Sequence, residues 1–206
     1  ILEILAQSGC DVVEHNQTTT ATIDDIMKSN SFNTLRNNML NGRRSKECRF
    51  CYDKEDSGIR SARLEQNVRW KSKIDSNLNE HLDTFTPVYL DIRLNNICNL
   101  KCRSCGSIFS SRWYDDDVKL WGKPLRPRVQ VAGRHELDIW EQMQEHIPHL
   151  DQIYFAGGEP LIMEEHNRIL KLLIEKGNTD VRLIYNTNLN ELRYKKESVL
   201  ELWKQF

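Results

Sequence analysis

Three cysteines within a short stretch, Cys98-Asn-Leu-Lys-Cys102-Arg-Ser-Cys105, are the residues here best suited to chemistry. Thiolates are nucleophiles and soft metal ligands. At C-x3-C-x2-C spacing they are poorly placed to bridge one another and well placed to converge on one metal centre. Three is one too few to close a tetrahedral zinc site or a four-iron cube, so a cube held this way keeps one iron open for a substrate or cofactor. A second pair, Cys48-Arg-Phe-Cys51, lies upstream, and Cys10 stands apart. Six cysteines are also an even number, which admits a disulfide framework. The length of 206 residues, the lack of a secretory segment and the tight grouping argue instead for metal-bound thiolates in a reducing, cytoplasmic compartment.

Two further groups could serve a ligand. Gly157-Gly158-Glu159-Pro160 combines permissive backbone with a carboxylate, although an ordinary strand-to-helix turn with Pro160 near the first helical position has the same composition. Asn186, Thr187 and Asn188 offer polar side chains, or a plain turn. Arg93 and Asn95 are weaker candidates beside the triad. His135, His146, His149 and His166 read as surface or helix-end residues, Asp115–Asp117 as a solvated helix face, and Trp113, Trp121 and Trp140 as core or cavity wall.

The elements that must position these groups are legible in outline. Val88, Leu90, Ile92 and Leu94 alternate with polar neighbours, so 88–94 is expected to be a strand ending just before the triad. Further strands are expected at 151–155 and 181–185, running into the glycine and asparagine groups. Helices are expected over 107–121, 135–147 and 164–176, and from 197 onward. Strands alternating with helices indicate parallel βαβ units, whose ligands bind at the strands' C-terminal ends. Upstream, helix starts are expected at Thr22 and Ser31, the latter stopped by Asn41-Gly42. Residues 52–67 read as a charged helix broken near Gly58, and 67–86 as a polar connection. The Cys48 pair follows a helix rather than opening one on a βαβ unit, which argues against a thioredoxin-like role.

With these motifs in place, the chain resembles the radical S-adenosylmethionine (radical SAM) superfamily, in the branch with SPASM or twitch accessory domains. The resemblance rests on the triad within Asn96–Gly106, on Ser110-Ser-Arg-Trp113, on Gly157–Pro160 and on Tyr185-Asn-Thr-Asn188; it covers 88–113 and 151–163, and less closely 22–64. It implies a [4Fe-4S] cluster on Cys98, Cys102 and Cys105, whose open iron binds SAM. Reductive cleavage would then yield a 5′-deoxyadenosyl radical that abstracts hydrogen from a substrate. It implies that Gly157–Pro160 receive the SAM amino group, and that Asn186 and Asn188 serve its ribose or carboxylate. Ser104 stands where the family has an aromatic residue whose backbone contacts adenine. Leu35–Ser61 resembles the accessory segment that helps hold an auxiliary iron–sulfur cluster, with Cys48 and Cys51 as ligands and Cys10 as a possible third.

The expectation is therefore an α/β chain. Residues 1–86 would be a mainly helical accessory region, and 87–206 the first half of a partial (β/α)6 barrel within a longer protein, since the sequence opens on Ile1 and ends inside a helical pattern. Flavodoxin or ferredoxin would donate electrons, and a peptide, protein or small molecule would be the substrate. The alternative is a non-catalytic zinc-binding interaction module, which accounts for the cysteines but not for the glycine–glutamate group. Twenty-nine Lys and Arg against 30 Asp and Glu give a net charge of −1, which marks neither a nucleic-acid binder nor an acidic tail. Charged residues are 29% of the chain, and no apolar run approaches the length of a membrane span.

Overall fold

The structure, a computed structural model, describes residues 25, 28–73, 87–123, 126–131 and 139–206. The chain divides into two compact units, Ile1–Thr86 and Pro87–Phe206. Cys10, the expected helix start at Thr22, His135 and most of the 67–86 connection lie outside the described residues, as does the side chain of Trp140.

In the first unit, α1 (Asn30–Leu40) is capped by Ser29, whose side chain accepts from the Phe32 N–H. The cap thus lies two residues before the expected Ser31, which is itself helical. Helix α1 buries Phe32 and Leu35 and ends at Asn41, followed by Gly42 in the left-handed region at φ 64°. A single 3-10 turn, Lys46–Cys48, leads into α2 (Arg49–Asp56). Gly58, at φ 73°, separates α2 from α3 (Ala62–Arg69), which Ser61 caps by accepting from the Leu64 N–H. Helix α3 runs past Asn67, so the helical part extends into the stretch expected to be connection.

The second unit is built on β1 (Tyr89–Ile92), β2 (Gln152–Phe155) and β3 (Arg182–Tyr185), all parallel, in the order β1-β2-β3. All three fall within the expected strands. Between β1 and β2 lie a 3-10 turn (Ser111–Trp113), α4 (Tyr114–Trp121) and α5 (Ile139–Gln144). Helix α4 starts seven residues later than expected, because 107–113 folds as turns against the cysteine loop. After β2 come a 3-10 turn (Pro160–Ile162) and α6 (Glu164–Glu175), which Gly177 ends at φ 72°. The expected last helix begins at Val199 instead of Glu197. Glu197–Ser198 (β5) pairs antiparallel with Arg193–Tyr194 (β4), and α7 (Val199–Trp203) follows.

Strand alternation gives the sheet two unlike faces. Leu90, Ile92, Ile153, Phe155, Leu183 and Tyr185 share one face by register. Helices α6 and α7 cover that face: the Phe155 and Tyr185 rings stack at 5.1 Å, His166 meets Phe155 edge-on at 4.9 Å, and Trp203 lies 5.1 Å from Tyr185. Ile153, Ile169, Leu170 and Leu173 are fully buried there. The described residues of the second unit thus form a mixed α/β fold on an open three-stranded parallel sheet.

His166 and Trp121 depart from their sequence reading. His166 is 1% exposed, since its place on α6 turns it onto the sheet. Its Nε2 lies 2.9 Å from the Tyr185 hydroxyl, which accepts from Trp203 Nε1. Burial pushes His166 down to about 4, so the ring is neutral, and the same burial pushes the Tyr185 phenol up. Trp121, at the end of α4, is 65% exposed and belongs to no core.

Candidate functional site

The three strands deliver the three sequence groups to one end of the sheet. Beyond β1 the chain continues beside the end of β2: Gly158 N–H donates to the Asn95 carbonyl at 3.1 Å, and Glu159 N–H to the Ile97 carbonyl at 2.8 Å. Beyond β3, Asn186 N–H donates to the Phe155 carbonyl at 2.9 Å.

This approach explains the glycine pair. A Cβ on Gly158 would lie 2.0 Å from the Ile97 carbonyl oxygen, and one on Gly157, at φ 111°, 2.8 Å from the Asn95 carbonyl oxygen. Both positions need glycine because the backbone leading into the first cysteine runs against them. The pair therefore positions the cysteine loop, whatever else it receives.

Glu159 is 1% exposed, and its carboxylate is a bracket. Oε1 accepts from Leu161 N–H at 3.1 Å and from the Thr187 hydroxyl, and Oε2 accepts from Asn188 N–H at 2.8 Å. Asn188 Nδ2 in turn donates to Asn99 Oδ1, inside the cysteine loop, at 2.9 Å. One chain of bonds thus ties the turn after β2 and the loop after β3 to the triad. Leu189, at φ 53°, turns the chain away immediately afterwards. Asn186 and Ser104 stand exposed, while Pro160 is buried at the first position of its 3-10 turn.

The cysteine loop is held from its other side by residues for which the sequence suggested no such role. Asn96, 2% exposed, donates from Nδ2 to the Ser107 and Arg128 carbonyls at 2.8 and 3.1 Å and accepts from Gln130 N–H at 2.9 Å. Ser110 donates to the Leu100 carbonyl at 2.8 Å, and Trp113 Nε1 to the Cys102 carbonyl at 3.0 Å. Lys101 lies 4.7 Å over the Trp113 ring and pairs with Asp116, which it holds below the usual carboxylate range. Asp117 accepts from Ser107. The acidic run read as a solvated face therefore braces the loop; the available signal was its place, one helix start beyond the triad.

Cys98 and Cys105 are half-buried and Cys102 is exposed, and Leu100 N–H donates to Cys98 Sγ at 3.4 Å. No disulfide joins any of the five described cysteines. Among the described residues no three His, Cys, Asp or Glu side chains are close enough to hold a single metal ion. Three thiols carried on one loop are soft ligands of the kind that iron–sulfur clusters and zinc both take.

In the first unit, Cys48 precedes α2 and Cys51 sits in its first turn; the pair follows α1 and opens a helix, but among the described residues of that unit no strand makes it part of a βαβ unit. The two thiols are only 3% and 5% exposed. Beside them Tyr52 lies between two guanidinium groups, with Arg44 at 4.9 Å and Arg63 at 5.0 Å from its ring centre. Arg63 pairs with Glu55 and holds it below the usual carboxylate range.

No family model matches the chain, and no solved structure matches it. It is 29% identical over 126 residues to the 7,8-dihydro-6-hydroxymethylpterin dimethyltransferase of Methanocaldococcus jannaschii; the match covers 59% of this chain and 22% of the relative. The chain thus spans less than a quarter of that enzyme's length and is distantly similar to a methyl-transferring enzyme. Among the described residues no helix is long and apolar enough to cross a membrane.

Proposed function

We propose that this chain carries the cluster- and SAM-binding half of a radical SAM enzyme. The observation that supports it is the bonded meeting of three strand ends: the triad loop, the Gly157–Glu159 turn and the Thr187–Asn188 loop, joined through Asn99, Asn188 and Glu159. Cys98, Cys102 and Cys105 hold the cluster. With the Glu159 carboxylate engaged inside the protein, the backbone carbonyls of Gly157 and Gly158 take the SAM ammonium group. Asn186 and Asn188 serve the ribose or carboxylate, and the backbone at Ser104 meets the adenine. When bound, the cluster and SAM supply the electron and the carbon radical that abstracts a substrate hydrogen. The protein's part is to place the thiols, close the loop from both sides and hold SAM in register.

In this reading the open sheet is half of a (β/α)6 barrel, and flavodoxin or ferredoxin donates the electron. Cys48 and Cys51 contribute to an auxiliary iron–sulfur centre. The relative's name offers a reduced pterin as the first acceptor to try, beside the peptide expected from the family resemblance.

The test is anaerobic reconstitution with iron and sulfide, followed by EPR of the reduced chain with and without SAM. The expected result is a [4Fe-4S] signal that SAM perturbs and that Cys102→Ala abolishes. Stoichiometric zinc with no iron uptake would instead support the zinc-binding module.

A further inference from the structure

Trp113 breaks a local rule. It stands at the N-cap of α4 and makes no cap bond. A cap side chain must accept, which is why Ser, Thr, Asp and Asn are preferred there, whereas an indole only donates. Asp115, Asp116 and Asp117 in the first turn answer the helix N-terminus instead. Nor does Trp113 fill a core, since it is half-exposed. Its Nε1 donates to the Cys102 carbonyl at 3.0 Å, and the same carbonyl accepts from Cys105 N–H at 3.1 Å. The second bond closes a turn whose ends are the two thiols of the C-x2-C half. Cys102 is exposed, so packing does not place its thiol. The ring face carries Lys101, 4.7 Å from its centre, and Asp116, one helical turn further on, pairs with that ammonium. One indole thus meets both the Cys102 carbonyl and the cation on the residue before it. Its own backbone is fixed: Trp113 N–H donates to the Ser110 carbonyl at 3.1 Å and Ser111 N–H to the Asn96 carbonyl at 2.8 Å. The C-x3-C half has separate anchors, Asn188 on Asn99 and Ser110 on the Leu100 carbonyl.

Resting on the reading of the triad as the ligand set of a [4Fe-4S] cluster, we propose that Trp113 is a positioning residue: its ring N–H sets Cys102 against Cys105, and its ring face keeps the Lys101 charge beside Cys102, which eases reduction of the cluster. Reduction adds a negative charge to a centre whose thiolates are already anionic, and a cation held nearby lowers the cost. Loss of Lys101 would also leave the Asp116 carboxylate unanswered, so both changes act in one direction. The pair is partly exposed, at 40% and 31%, so screening keeps the effect modest.

The test uses the full 206-residue chain and two variants that separate the roles. Trp113→Phe keeps a ring under Lys101 and removes the N–H donor; Lys101→Gln keeps the donor and removes the charge. Amide exchange is followed by NMR on the metal-free chain, with the β2 amides as the check that each variant is folded. Trp113→Phe should speed exchange at the Cys105 amide at least fivefold, and Lys101→Gln should leave it unchanged. The chain is then reconstituted anaerobically and its cluster titrated by EPR. Lys101→Gln should make one-electron reduction three- to tenfold less favourable, tenfold being about 59 mV, at unchanged iron content. A purely structural role would not move that potential. Cys105 exchange unaltered by Trp113→Phe overturns the inference, and so does a potential unmoved by Lys101→Gln. A wild-type chain that takes up no iron refutes the radical SAM reading instead. Faster Cys105 exchange in that chain would still support the positioning role of Trp113, and unaltered exchange there would overturn it.

Discussion

The two cysteine groups differ in what holds them. Cys48 and Cys51 sit at a helix start, 3% and 5% exposed, inside a unit whose helices bury Phe32 and Leu35. Cys98, Cys102 and Cys105 ride on a loop, half-buried or exposed, fastened by side chains from neighbouring turns. A buried free cysteine behaves as a small apolar residue, and its removal is felt by the fold. An exposed one contributes little to folding and is available to a ligand. The first pair is thus integral to its core, whereas the triad is held in its loop by neighbouring turns and open to a ligand.

The largest expected effect lies in the scaffold of the triad. Gly158→Ala would drive a Cβ into the Ile97 carbonyl, backbone against backbone. It should cost on the order of 3 kcal/mol or more in urea unfolding and strip the cluster. Gly58→Ala, with open space around its Cβ at φ 73°, should cost only about 1–2 kcal/mol and leave iron uptake intact. Similar costs for the two would break the contrast.

Next comes pH. His166 is buried neutral and must take up a proton on unfolding, because its folded value, about 4, lies below the ordinary 6.5. The unfolded chain binds more protons between those values, so stability should rise from pH 4 to 6.5 by on the order of 3 kcal/mol. Asp91 acts oppositely: raised from 3.8 to about 6, it makes the folded state bind more protons, and stability falls as pH rises through that range. His166→Phe should therefore turn a shallow wild-type profile into a falling one between pH 4 and 6, as followed by urea titrations at several pH values. An unchanged profile would show that His166 is charged or exposed.

Smaller still, Cys51→Ser should cost about 1–2 kcal/mol in apo protein by placing a hydroxyl in the buried site. Cys102→Ala in the same apo protein should change stability by less than about 0.5 kcal/mol, since surface changes seldom do more. Equal effects would mean that the triad is as much a part of its core as the first pair. Last, Asn188→Ala removes the bond to Asn99 but keeps the backbone bond to Glu159. SAM affinity, read by calorimetry on reconstituted protein, should fall about three- to tenfold, in keeping with about 1 kcal/mol for one hydrogen bond.

Local pattern was enough for much of this molecule. The three strands lie where apolar alternation placed them, Gly42 and Gly177 end helices as their φ angles allow, and the triad follows β1 directly. These features depend on residues a few positions apart, whose spacing carries the information. The sequence read less well where a distant partner decides. Asp116 and Asp117 look solvated until Lys101 and Ser107 are brought to them, and His166 looks like a surface residue until β2 and β3 lie beneath it.

By itself, then, the sequence determined which residue types stand at which strand ends, because periodicity and turn chemistry are local. Only the tertiary structure decided what those residues do for one another. Gly158 is required by the Ile97 carbonyl, Glu159 is consumed in bracing Thr187 and Asn188, and Asn99 is bonded to a residue 89 positions away. Those outcomes depend on how parallel strands align in register, which brings distant backbone within van der Waals range and which no pattern of neighbouring residues encodes.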